Sequence, residues 1–455
     1  MRFALFPAAA LAASMGVLAA CSTVPQSVGE QAQGLLRPAA GELSRSPADD
    51  AASARELQQL LSAPLDSASV VRIAWLRNAD AQAACARLGI AAADVVAASR
   101  PANPVLGLSL LWPVRPDERK STGSLTFEVS DLLWLRARRR LGAHELQAAQ
   151  QQLAAQLYAL GLDAQLAWLD AVAAKQRLAV RRAISGSAQV SAELAQQYRA
   201  AGNISELQET LQSAAGTEAR IRLADAARDA ARSHAHLRQL LGLTAADPLI
   251  RLPSSLPPAE GFAAEPVALH EQARGQRLDL AAARSEVSAL TLRLAATRRY
   301  RLLGGGELGA VTEHENGTRR SGPAAGLELP LFSQGQPAVA RAAAELQAAQ
   351  ARVRSIEVAI DAGIDAQLEQ LALSREQYNE YREKLIPQRE TAVARLSEQA
   401  NFMLIGPFEL LLARQQTYLA YEGAVDALQA WWQDRVALTR ALGAPLPVVA
   451  APEEN

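Results

Sequence analysis

The hexapeptide Glu145-Leu-Gln-Ala-Ala-Gln150 returns 200 residues later as Glu345-Leu-Gln-Ala-Ala-Gln350. At the same spacing Phe127-Glu128-Val129 faces Leu327-Glu328-Leu329, and Leu106–Leu110 faces Gly306–Ala310. Leu241-Gly242 matches Leu442-Gly443 with one residue more between them. A single short match in Ala- and Gln-rich sequence arises by chance. Landmarks kept in order over about 140 residues mark an internal duplication. Whatever one unit builds, the other has to build as well.

The two units read alike. A helix of about 30 residues (66–99, then 267–300) leads into two short strands. A very long helix (132–200, then 334–400) and a return helix (205–242, then 406–443) follow. In the second long helix Val353, Ile356, Ile360, Ile364, Leu368 and Leu371 step by three and four, which marks one buried face. The shorter helices together match the long one, predicting a rod of ~100 Å at 1.5 Å per residue. The repeats span 66–246 and 267–445, with a linker at 247–266 and a tail at 446–455. The linker contains Leu252-Pro-Ser-Ser-Leu-Pro-Pro258, too rich in proline for a helix.

Composition agrees with packed helices. Of 455 residues 49% are apolar but only 4% aromatic, the apolar share coming mostly from Ala and Leu. With 46 basic and 47 acidic residues there is no excess charge to neutralise phosphates, which argues against nucleic acid as a partner. Residues 1–20 carry one Arg, an apolar run and small residues, the pattern of a secretory signal too short to span a membrane. It ends in Leu18-Ala19-Ala20-Cys21, which resembles the bacterial lipobox. Cys21 would then carry the lipid as the mature N-terminus, with residues 21–65 as a tether; an ordinary cleavage site with a chance Cys is the alternative. Ser22 after it favours the outer membrane by resemblance to the sorting rule. The other cysteine, Cys85, has no disulfide partner and is expected to be a small buried hydrophobe.

The strands set the class. From Pro104 to Asp131 the apolar period switches to two: Leu106, Leu108, Leu110 and Trp112, then Leu125, Phe127 and Val129. The second unit repeats it with Leu308 and Ala310, then Ala325, Leu327, Leu329 and Leu331. Strands of this kind suit a tilted transmembrane β-strand, apolar outside and polar inside, with Trp112 and Trp134 at the strand ends. A soluble hairpin packed on the helices is the alternative. Four strands are too few to close a barrel, and an open edge is not tolerated in lipid. The chain therefore has to oligomerise, and three copies would supply twelve strands.

In this arrangement residues 66–445 resemble the TolC-like outer membrane factors. The marks are Asn103-Pro104 opening the first strand and Leu329-Pro-Leu-Phe-Ser-Gln-Gly335 leaving the last one. Ala201-Gly-Asn-Ile-Ser-Glu206-Leu, its counterpart Gly406-Pro-Phe-Glu409-Leu-Leu, and the Leu-Gly helix endings complete them. The resemblance implies a mainly α fold with a small transmembrane β part. It further implies a homotrimer whose twelve-stranded barrel sits in outer membrane lipid and whose twelve-helix barrel extends through the periplasm. A periplasmic adaptor and an inner-membrane pump are the implied partners. The lipobox matches the lipoprotein branch.

No nucleophile elbow, phosphate-binding glycine loop or paired metal-ligand motif occurs, so no enzyme, cofactor or metal site is expected. His234 and His236, two apart on a helix, point to different faces. Transport predicts charge rings instead. By the resemblance Glu206 and Glu409 occupy gate positions near the periplasmic tip, with Tyr198 and Arg199 pairing across it. The alternative is a solvated glutamate favoured by the helix dipole. A second acid one turn on is met by Glu209 but by Leu412 in the other repeat. Glu128 and Glu328 have inward parity and would acidify the barrel lumen, although any polar residue would serve there. Phe402, Met403, Leu404 and Ile405 are candidates for adaptor docking or tip sealing.

The expected function is a passive outer membrane duct of a tripartite efflux system, exporting drugs, heavy-metal ions or other small solutes. The segment Asn401–Glu409 looks like that of copper efflux members, but one methionine near a pore gives no thioether relay. A periplasmic adaptor, or a structural coiled-coil lipoprotein without a channel, is the alternative. An adaptor would carry a lipoyl-like β-domain in one helical hairpin rather than two matched β-hairpins.

Overall fold

The computed structural model describes residues 47–112, 120–259, 265–302, 305–315, 317–332 and 334–445. The signal-like stretch, Cys21 and the tail lie outside them. In chain order the elements are α1 (Pro47–Ser62), α2 (Ser67–Arg77), α3 (Ala79–Ala98), β1 (Val105–Leu111), β2 (Lys120–Glu128), α4 (Ser130–Ala200) and α5 (Glu206–Leu240). The second repeat gives α6 (Pro266–Gln276), α7 (Leu278–Tyr300), β3 (Gly306–Glu315), β4 (Thr318–Leu327), α8 (Gln336–Asn379), a π-helical turn (Glu380–Leu385), α9 (Ile386–Asn401) and α10 (Pro407–Leu442). α4 alone has 71 residues, about 107 Å at the α-helical rise.

Two compact units form, and each draws on both repeats. The first contains Cys85–Gln151 and Ala282–Ala351. Its strands make one antiparallel sheet in the order β1-β2-β3-β4. Gly142 lets α4 close on Val95 of α3, where an added Cβ would meet Val95 Cγ2 at 3.4 Å. Trp134 stands in the first turns of α4 rather than at a strand, its ring 4.9 Å from that of Tyr300 at the end of α7. β1 has only 7 residues, shorter than expected. Among the described residues α3 is the one helix long and apolar enough to cross a membrane, though it carries Asp80, Arg87 and Asp94. Cys85 on it is half-buried, not buried as expected.

The second unit holds the remaining helices and the main core. Ile360 and Ile364 are fully enclosed and Leu371 nearly so. Val353, Ile356 and Leu368 pack at the margin, so the expected face of the second long helix is the one buried. Trp431 is 1% exposed and anchors the return helix of the second repeat. Indole N–H groups fasten the irregular segments: Trp168 donates to Leu65 O (2.9 Å) and Trp432 to Pro257 O (2.9 Å). The linker is non-helical, and Leu65 N–H donates to its Arg251 O (2.8 Å).

Two expectations about helices need correction. The shorter helix of each repeat is broken in two, at Asn78 and at Arg277, both of extended backbone (ψ 127° and 114°). Each break is held by the end of the same repeat's return helix. Asn78 Nδ2 donates to Leu240 O (2.8 Å) and Arg277 Nη1 to Ala441 O (3.3 Å). The following glycines, Gly242 (φ 66°) and Gly443 (φ 69°), press on Arg77 and Arg277. The Leu-Gly endings are thus the partners of the breaks. The second long helix is also interrupted, by the π-helical turn before Pro387. Proline lacks an N–H and its ring clashes with the carbonyl four residues back, which a wider turn relieves. The first repeat has Ser187 at that position and stays α-helical.

Candidate functional site

In an antiparallel sheet, residues directly opposite each other share a face. The row Leu106–Leu125–Ala310–Pro323 and the pairs Phe127–Leu308 and Leu308–Ala325 make one face apolar over the half nearest the helices, while the same face carries Gly123–Thr312–Ser321 and Ser121–His314–Arg319 toward the hairpin ends. The rows Ser109–Thr122–Glu313–Arg320 and Gly107–Ser124–Val311–Gly322 make the other mostly polar. Lys120 and Glu313 pair across it at 3.4 Å. The expected alternation is present through Leu106–Leu110, Leu125–Phe127, Leu308–Ala310 and Ala325–Leu327, but β4 ends at Leu327, so Leu329 and Leu331, expected as strand positions, lie beyond it. In one chain the apolar face is uncovered: Leu106, Leu108 and Leu110 are 66–78% exposed.

Glu128 and Glu328 both fall on the polar face, but not in one row. The residue opposite Glu128 is Glu307. Glu328 lies just past β4, where its N–H donates to Gly305 O (2.9 Å) and its Oε2 accepts from Gly305 N–H (3.2 Å). The place of Glu307 beside Glu128 depends on the β2–β3 register, which crosses the repeats and which residue spacing does not fix.

In the second unit the long helices turn into the return helices through two similar turns. Asn203 N–H donates to Tyr198 O (2.8 Å), and Leu404 N–H to Gln399 O (2.9 Å). α5 opens with a capping box in which Ser205 Oγ accepts from Gln208 N–H while Gln208 Oε1 accepts from Ser205 N–H. α10 opens on Gly406 with Pro407 in its first turn and no side-chain cap. The helix starts show that Glu206 and Glu409 are not equivalent. Glu206 is the first residue of α5, where α10 has Pro407; Glu409 is the third, where α5 has Gln208.

The turns nonetheless meet. The Tyr198 and Phe408 rings lie edge to face with centroids 5.9 Å apart. Arg199 Nη2 reaches Glu206 Oε2 at 3.8 Å, a long and solvent-exposed pair. Glu409 borders an open groove of about 240 Å³ with Phe408, Leu412, Ser191 and Gln212. Phe402, Met403 and Leu404 are 72–92% exposed, whereas Ile405 is half-buried. Among the described residues no group of three or more His, Cys, Asp or Glu side chains is placed to hold a metal ion.

This architecture is that of solved outer membrane channels. The chain superposes on a membrane protein from Pseudomonas aeruginosa with a TM-score of 0.70 at 19% identity, covering 85% of this chain and 92% of that one. It superposes on the CmeC outer membrane channel of Campylobacter jejuni with a TM-score of 0.67 at 14% identity, covering 92% and 93%. For the MtrE outer membrane channel of Neisseria gonorrhoeae in its open state the TM-score is 0.67 at 15% identity, covering 82% and 88%. No protein-family model and no curated protein sequence matches the chain.

Proposed function

We propose that the chain is the outer membrane duct of an efflux system, working as a homotrimer without chemistry of its own. The observation that carries this reading is the four-stranded sheet. It is apolar on the helix-near half of one face, mostly polar on the other and open at both edges, in a chain with the fold of outer membrane channels. Three such sheets would close a barrel around a polar lumen and leave no strand edge in lipid. Cys21 would carry the lipid anchor. A periplasmic adaptor would dock on the helical turns around Phe402–Ile405, and an inner-membrane pump would supply the energy. Glu206, Glu409, Tyr198 and Arg199 would form the constriction, and the solutes passed are small ones, drugs or heavy-metal ions.

Reconstitution of the purified protein in a planar bilayer tests this. Discrete conductance steps from a stable trimer are expected; a protein that assembles but conducts nothing would reject the duct.

A further inference from the structure

We propose that the lipid-facing side of the β3–β4 hairpin end is a binding site for the phosphate of a lipid headgroup, built on Arg319 with His314 and Ser121. The inference rests on the duct proposed above, which turns the apolar face of the sheet to lipid and its hairpin ends away from the periplasm.

The site follows from where the strands put their charges. β3 ends at Glu315 and β4 begins at Thr318, so two residues connect them, with Gly317 at φ 78°, the left-handed backbone a tight hairpin turn needs. One rung inside that turn His314 stands opposite Arg319, and on its other side opposite Ser121. All three lie an even number of residues from Pro323, Ala310 and Leu125, so they share the apolar face. The acidic residues of the four strands, Glu128, Glu307, Glu313 and Glu315, all lie on the opposite face. Lys120 and Arg320 lie there too. Among the strand residues Arg319 is thus the one permanently charged side chain on the lipid-facing side.

The next rung shows how polar side chains on that face are otherwise satisfied. Thr312 and Ser321 bond to each other through their hydroxyls at 3.1 Å. His314 and Arg319 have no such solution. Val129 N–H donates to Gly306 O and Glu328 N–H to Gly305 O, each at 2.9 Å. Bonded and non-bonded pairs alternate in an antiparallel ladder, so His314–Arg319 is a non-bonded pair, the kind whose side chains lie closest. Yet a guanidinium has five donors and no acceptor, and an imidazole accepts at most one of them. Both side chains are exposed, and among the described residues no hydrogen bond or ion pair reaches either. Glu313 faces the other way and pairs with Lys120 at 3.4 Å. The donors of this rung therefore call for an anion from outside the chain.

The height of the rung identifies that anion. Arg319 and Leu327 bound the lipid-facing side of β4, about 26 Å apart along the strand and about 20 Å apart in height at a strand tilt of about 40°. An outward apolar band is about 25 Å tall. With the leucines at the helix end inside the hydrocarbon, Arg319 falls at the far rim, where a lipid-facing cation is tolerated and headgroups begin. Phosphate is the anion that headgroups present, and the planar fork of an arginine matches its oxygens.

Lipid binding to the full-length protein in detergent tests this, with diphosphoryl lipid A as probe beside its dephosphorylated form and inorganic phosphate. Native mass spectrometry should show the oligomer retaining lipid A and holding the other two far more weakly. Arg319→Gln should weaken lipid A binding about ten-fold, the value of one charge-assisted hydrogen bond. Arg320→Gln, its neighbour on the polar face, should leave it unchanged. Equal retention of the dephosphorylated lipid would overturn the phosphate contact, and inorganic phosphate bound as tightly as lipid A would overturn the headgroup. Unchanged binding in Arg319→Gln, or an equal loss in Arg320→Gln, would overturn the site. Mass and conductance of the parent protein separate the two readings. A conducting trimer whose lipid binding ignores Arg319 rejects the site alone, while a parent that neither assembles nor conducts rejects site and duct together.

Discussion

Met403 takes, in the turn between α9 and α10, the left-handed backbone conformation that Gly202 takes between α4 and α5 (φ 58° against 76°). Glycine adopts this conformation freely, whereas a side chain brings Cβ against the carbonyl at a cost of about 1–2 kcal/mol. Met403 is 92% exposed, so its side chain gains little packing within the chain to offset that cost. Met403→Gly is therefore expected to stabilise the fold by up to about 1 kcal/mol, after the entropy glycine loses on folding. Gly202→Met should destabilise it by a similar amount. Thermal unfolding of both variants measures this. If the turn docks an adaptor, Met403→Gly should weaken that binding while raising stability.

The glycines at the helix breaks differ in what a methyl group would meet. At Gly242 it would lie 2.4 Å from Arg77 O and 2.8 Å from Arg77 C, backbone atoms fixed by the break; at Gly443 it would lie 2.8 Å from Arg277 Cγ and 3.0 Å from Arg277 Cα, a smaller overlap. Both positions are left-handed. Gly242→Ala should cost about 2–4 kcal/mol, the sum of conformational strain and overpacking, and Gly443→Ala less. Equal losses in chemical denaturation would show that the overlap with Arg277 is no easier to relieve than the overlap with the Arg77 carbonyl.

Asp247 supplies a pH dependence with a definite sign. Its carboxylate accepts from Thr244 N–H (2.7 Å) and Thr244 Oγ1 (2.8 Å). These bonds, the backbone one foremost, hold its pKa below the usual carboxylate range, with Arg77 and Arg238 adding to them. As pH falls the unfolded chain therefore binds the proton first. The stabilisation is complete above the ordinary carboxylate pKa, about 3.9, and is lost as pH drops through the lower folded value. Unfolding temperatures of Asp247→Asn should be lower than those of the parent at pH 6 and converge with them toward pH 3.

These positions also show what the sequence carries and what it does not. The buried stripe through Ile360 and Ile364 and the alternation near the helix ends of the strands are local patterns, and both are present in the fold. The breaks at Asn78 and Arg277 leave no local trace. They depend on acceptors at Leu240 and Ala441, more than 160 residues away. The π-helical turn has a local signal in Pro387, beyond the apolar stepping that ends at Leu371. Glu307 beside Glu128 and the differing places of Glu206 and Glu409 follow from register and from helix starts, which residue spacing alone does not fix.

The two glutamates at the turns should consequently differ in function. Glu206 has Arg199 at 3.8 Å, so part of its field is cancelled where it stands. No ion pair to Glu409 occurs among the described residues, and it borders the groove with Leu412 one turn on. In a trimer three copies of Glu409 would make a ring of negative charge that draws cations, an effect screened beyond about 10 Å at 0.1 M salt. Glu409→Gln is expected to lower the cation preference of the channel clearly and Glu206→Gln to lower it less, with the difference shrinking as salt rises. Reversal potentials in a salt gradient across a planar bilayer measure both. An unchanged preference in Glu409→Gln would move the constriction away from this turn, and a larger effect from Glu206→Gln would assign the ring to the first repeat.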